Sequence, residues 1–143
     1  MNLFFTRILF VLVLVCTTGC ENSDEIKVPQ SVEATFLAQY PGDNNPDWEK
    51  SAQGNWEVHF NIAGEKYSAD FQPNGLWIAT QNSITKTELP ELVKQAIDKN
   101  YSTEKITKIH RVIHHSKGVF YYVEFKSNEK SYNVEFIEDG TTF

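Results

Sequence analysis

The residues VPQSVEATFLAQYPG (28–42) and WEVHFNIAGEKYSADFQPNG (56–75) return further along the chain as LPELVKQAIDKNY (89–101) and YYVEFKSNEKSYNVEFIEDG (121–140). The first pair of segments is related by an offset of 61 residues and the second by 65, so four extra residues separate helix from strands in the later copy. Within each copy the period changes. Val32, Phe36 and Tyr40, like Val93, Ile97 and Tyr101, recur every four residues and form one apolar helical stripe. Trp56, Val58 and Phe60 then alternate with Glu57, His59 and Asn61, as Tyr121, Val123 and Phe125 do with Tyr122, Glu124 and Lys126; this is the pattern of a half-buried strand. The expected fold class is α+β, a tandem duplication of helix plus antiparallel β-sheet units (28–87 and 88–143), with both helices packed on one face of the sheet.

Local signals fill in the rest. Pro29 and Pro90 suit the first position of a helix, and Pro41-Gly42 stops the first one, which the spacing predicts over 29–40 with Leu37 beside its buried stripe. Trp48 anchors a short strand or loop. Ala63-Gly64-Glu65 turns the chain into a strand carrying Tyr67, Ala69 and Phe71. Asn74-Gly75 reads as a type I′ hairpin, and residues 76–80 as the third strand. Residues 81–88 form a polar junction, 106–115 a basic strand, 132–136 a further strand, and Asp139-Gly140 a turn into a last short strand. A unit of about 60 residues is hard to stabilise alone, so the two sheets should join or abut and leave their other face in water.

The first twenty residues stand apart. Arg7 followed by the nine-residue apolar run 8–16 is too short to span a bilayer, which takes about 20 residues, and fits a secretory signal over 1–19. Thr17-Thr18-Gly19-Cys20 resembles the lipobox of bacterial lipoproteins, which makes Cys20 the candidate lipidation site; an ordinary signal cut near Gly19 also fits. Several acyl chains hold a protein durably on a bilayer. Residues 20–27 then serve as a tether. Ser23-Asp24-Glu25 resembles an acidic surface-sorting signal, and equally a hydrophilic linker. The expected address is export and lipid anchorage in the outer membrane, periplasmic or surface-facing.

Cys16 lies in the segment to be removed and Cys20 would carry lipid, so no thiol remains for a disulfide, metal or nucleophile. The 124 residues from Cys20 onward are enough to bury about two-thirds of their unfolded surface in one core. Setting Arg7 aside leaves 12 basic against 19 acidic residues, a balance that argues against nucleic acid as a partner.

Val28-Pro29, Phe36, Tyr40-Pro41-Gly42, Trp48, Trp56-Glu57-Val58, Phe71 and Asn74-Gly75-Leu76-Trp77 resemble the PepSY-like, β-lactamase-inhibitor-like domain of secreted bacterial proteins, and the resemblance runs through the mature chain twice. It implies tandem helix-plus-sheet units, a fold similar to the β-lactamase inhibitory protein, and an inhibitory or regulatory relation to proteases. The matching positions are core and turn residues, so no inhibitory residue is carried over.

The residues that alternate with the core set supply the candidate site: Glu57, His59, Asp70, Tyr122, Glu124 and Glu135, an acidic patch with an aromatic side chain of the kind that anchors interfaces. The competing reading is a solvated acidic face. His110 and His114 would share one strand face and are weak metal candidates, with His59 a third only if the sheets bring it near; no dedicated metal site or cofactor is expected. No nucleophile elbow, zinc-protease motif or phosphate loop occurs, and catalysis is not expected. Lys105, Lys108, His110 and Arg111 could steer an acidic partner or keep a strand edge from pairing. The expected function is that of an exported, lipid-anchored binding module for an envelope protein or peptide, with a small-ligand or metal-ion binding periplasmic protein as the alternative.

Overall fold

The computed structural model describes residues 27–128 and 130–143. The signal segment, Cys20 and nearly all of the tether lie outside the described residues. The element order is α1 (Gln30–Gln39), β1 (Asp47–Lys50), β2 (Trp56–Ile62), β3 (Glu65–Phe71), β4 (Trp77–Ser83), a 3-10 turn (Lys86–Glu88), α2 (Glu91–Asn100), β5 (Lys105–His114), β6 (Gly118–Ser127) and β7 (Lys130–Phe136). All seven strands form one antiparallel sheet in chain order. The two expected sheets therefore join, through the pairing of β4 with β5. No described helix is long and apolar enough to cross a membrane.

Two apolar clusters hold the fold together. Val32 and Phe36 of α1 pack with Trp56, Val58, Phe60, Ala69 and Phe71. Leu89, Val93 and Ile97 of the α2 region pack with Ile109, Tyr121, Val123, Phe125 and Phe136. Side chains directly opposite one another across an antiparallel pair share a face. The register links Val58, Ala69, Thr80 and Ile113 in one row, and Ile109, Val123 and Val134 in another. Ile113 and Ile109 are four residues apart on β5, so both rows lie on one face, called here the core face.

Several local readings are corrected. The type I′ geometry falls at Ala63-Gly64, where both residues have positive φ (52° and 88°). At Asn74-Gly75 only the glycine does. Pro73, with its fixed negative φ, takes the second position of a turn in which Gly75 N–H donates to Gln72 O at 2.9 Å. Of the two readings open for Trp48, strand or loop, the strand holds, as β1. Leu37 is not part of the buried stripe, being 56% exposed. β4 runs on to Ser83 because neighbours on both sides complete its ladder. β5 is interior to the sheet, so its basic residues do not guard an edge. The last short strand reduces to a single bridge between Phe136 and Thr142.

Candidate functional site

The residues alternating with the core set make up the polar face, and the register assembles the six sequence candidates there. Glu57 is directly opposite Asp70, and Asp70 is opposite Ala79, which is opposite His114. Tyr122 lies between His110 and Glu135. Glu124 lies between Lys108 and Asn133. The face thus has two groups: Glu57, His59 and Asp70 on β2 and β3, and Tyr122, Glu124 and Glu135 on β6 and β7.

The charges are mutually arranged. His59 Nε2 stands 3.5 Å from Glu57 Oε1. Burial, then the neighbouring Glu57, pushes the Asp70 carboxyl above the ordinary aspartate range, against an opposing pull from His59. The Thr107 hydroxyl donates to Glu124 and is the main influence holding that carboxyl below the usual range; Lys108, 3.7 Å away, adds to it. Lys117 Nζ pairs with Glu135 at 2.6 Å and lies over the rings of Phe120 and Phe143 at 5.1 and 4.9 Å.

A hollow of about 240 Å³ lies on this side of the sheet, with His59, Ser68, Gln81 and His110 among its lining. A polar chain crosses its floor. His110 Nδ1–H faces Gln81 Oε1 at 3.3 Å, Gln81 Nε2 donates to Ser68 Oγ at 3.1 Å, and Ser83 Oγ lies 3.5 Å from His110 Nε2. This arrangement suits the neutral imidazole. Burial, followed by the charge of Lys108, lowers the His110 pKa in the same direction. Gln81 is not expected here from sequence, because residue spacing ends the third strand at Thr80, whereas β4 runs on to Ser83; Ser68 takes this side by alternation with Tyr67 and Ala69.

The metal candidates do not form a ligand set. Both nitrogens of His110 face side-chain partners, and His114 Nδ1 accepts from Ser116 N and Oγ at 3.2 Å. Among the described residues no group of three or more ligating side chains could hold a metal ion.

The polar face is not uniformly wet. Ala79, Val112 and Phe120 are buried on it, with Ile78, Tyr122 and Ile137 packed against them. Phe143 meets Phe120 edge-on at 5.7 Å. The expectation of a wholly solvent-exposed reverse face fails here, because β6 begins at Gly118 and so carries Phe120 into the sheet. The result is a small apolar centre with charged groups around it.

Fold and face together define a class: a small α+β protein in which two helix-bearing segments share one antiparallel sheet and an open face of mixed charge is left on it. The chain belongs to the family described as "Putative beta-lactamase-inhibitor-like, PepSY-like", whose model matches residues 54–141. A DUF2874 family protein from Bacteroides ovatus is similar in fold, with a TM-score of 0.74, 18% identity, and 81% of this chain and 84% of that chain covered. So is a protein described as BLIP-like from Bacteroides fragilis, with a TM-score of 0.74, 16% identity, and 82% and 84% covered. A third, described as a "putative periplasmic" protein, from Bacteroides eggerthii, has a TM-score of 0.72, 18% identity, and 81% and 86% covered. No curated protein matches the chain.

Proposed function

We propose that the protein is an exported binding module, lipid-anchored through Cys20 to the outer membrane, built from two duplicated units with both helices on the core face, and that its polar face docks an envelope protein or peptide which it inhibits or regulates. Binding rather than catalysis is its role. The observation that carries this reading is the composition of the polar face: Tyr122 and a small apolar centre on β4, β5 and β6, flanked by Glu57, His59 and Asp70 on β2 and β3 and by Glu124 and Glu135 on β6 and β7. Interfaces are built in this way, with apolar and aromatic anchors inside a charged rim.

The duplication is supported by close contacts that obey the two sequence offsets. A Cβ on Gly75 would stand 2.6 Å from Ser31 O, and one on Gly140 would stand 2.6 Å from Leu92 O. Export agrees with the signal-like residues 1–19 and with the periplasmic description of the eggerthii protein. The test is capture of a defined envelope partner by the anchored protein. Tyr122→Ala and Glu124→Lys should each weaken it by tenfold or more, taking about 1.4 kcal/mol per decade, while Leu92→Ala on α2 leaves it unchanged. Undiminished capture by both polar-face variants would rule that face out.

A further inference from the structure

The core face carries a feature that the polar face does not account for. Phe60, Tyr67, Asn82, Arg111, Tyr121 and Phe136 stand side by side in one row across six strands. Aromatic side chains occupy both ends, and a polar pair, Asn82 and Arg111, occupies the middle. The middle is the seam between the two halves. Neither apolar cluster includes Asn82, Arg111 or Ile113.

An open cleft of about 450 Å³ lies over the seam, with Tyr40, Tyr67 and Trp77 as its aromatic wall, Ile62 and Ile113 as aliphatic surface, and Arg111 as its charge. Ile62 and Ile113 are each 37% exposed, although both are large apolar residues. The wall is held in place. Trp77 Nε1 donates to Thr80 Oγ1 at 2.9 Å, and the Tyr40 hydroxyl meets the same oxygen. Thr80 is itself buried, so the two rings are fixed from beneath rather than free to collapse into the gap.

Arg111 takes part in none of the ion pairs among the described residues. Glu65, opposite Ile62 in the β2–β3 pair, accepts from the Tyr67 hydroxyl at 3.2 Å. A half-buried guanidinium offers a planar fork of donors that matches a carboxylate in two-point contact. A cleft of this size, mostly apolar with Gln39 and Arg111 as its long polar side chains, has the character of a small-molecule site.

We propose that the seam cleft binds small aromatic carboxylates, with the carboxylate on Arg111 and the ring lying between Trp77 and Ile113. This site is on the opposite side of the sheet from the docking face and stands or falls independently of it. The probe is 4-phenylbutyrate, titrated into the full chain by calorimetry and by NMR, in parallel with its neutral amide, 4-phenylbutyramide. The acid should bind saturably and at least about tenfold more tightly than the amide, since hydrogen bonds to charged groups contribute more than neutral ones. Resonances of Thr80 and Ile113 should move, and Arg111→Gln should bring the affinity for the acid down to that for the amide. The amide comparison needs no variant and so does not depend on Arg111→Gln folding. Equal affinity for acid and amide, shifts centred on His59 and His110, or no saturation up to the solubility limit of the acid would each overturn the proposal.

Discussion

The two halves of the molecule solve one packing problem with largely the same side chains and a few compensating exchanges. In the first, Phe36 lies at the centre of an aromatic cluster, with ring centroids 5.1 Å from Phe60, 5.3 Å from Trp48 and 5.4 Å from Tyr40. Its counterpart 61 residues on is Ile97, and the strand residue Ala69 has Val134 as its counterpart 65 residues on. A large helix residue over a small strand residue is thus matched by a smaller one over a larger, which keeps the filled volume similar. Tyr101 meanwhile stacks on Phe125 at 4.6 Å, where Tyr40 meets Phe60 at 4.6 Å. Most core positions keep the same residue in both halves, as at Val32 and Val93, Val58 and Val123, and Phe71 and Phe136; where the residue changes, the filled volume stays similar.

The strands preceding each hairpin differ more. β1 has four residues and β5 has ten. β1 lies at the edge of the sheet, where short and charged strands resist unwanted pairing, and Asp47, Glu49 and Lys50 supply the charge. β5 is paired on both sides and must extend along its neighbours.

The largest effects should come from the centres of the two cores. Phe36→Ala should cost about 3–5 kcal/mol and Ile97→Ala about 2–5 kcal/mol in urea unfolding, with the aromatic site the more costly. A clearly larger loss at Ile97 would break the volume argument. Next, Gly75→Ala and Gly140→Ala should cost similar amounts, on the order of 1–3 kcal/mol each from strain at positive φ alone, with the close carbonyls of Ser31 and Leu92 adding to both. If one substitution is tolerated and the other is not, the two turns are not equivalent.

Asp70→Asn tests an asymmetry of charge. The folded-state pKa of Asp70 is raised, so the stabilisation that comes with its proton is present below the ordinary carboxylate range and is lost as pH rises through the raised value. The variant should therefore melt higher than the parent at neutral pH, and this advantage should shrink in acid. An advantage that grows on acidification would contradict the cause assigned to the shift. The smallest effect belongs to Leu37, whose counterpart is Asp98, an exposed residue paired with Lys86 at 2.6 Å. Leu37→Asp should change stability by no more than about 0.5 kcal/mol.

Where periodicity was strong, the sequence was informative: both helical stripes and the alternation of β2, β3, β6 and β7 follow from residue spacing alone. Pairing between distant segments was less legible. Residues 81–83, Gln-Asn-Ser, have little intrinsic strand character, and only the ladders on either side make them part of β4. Ser68, Gln81 and His110 could not be brought together without that extension. Phe120 was hidden because the alternation that marks the strand starts at Tyr121, whereas β6 begins at Gly118. The Asn74-Gly75 signal lost to Pro73, a residue that fixes the turn one step earlier. Candidate residues on the polar face were recoverable, since alternation alone assigns a side; their grouping was not, since it depends on register across β4 and β5.

Hydroxyl-radical footprinting of the protein in complex with a captured partner tests the proposed docking face most directly. Tyr122 and His59 should lose reactivity in the complex while Leu37 and Leu92, exposed on the helices, keep theirs. Protection of the two leucines with Tyr122 and His59 still reactive would place the partner on the helices and contradict the account.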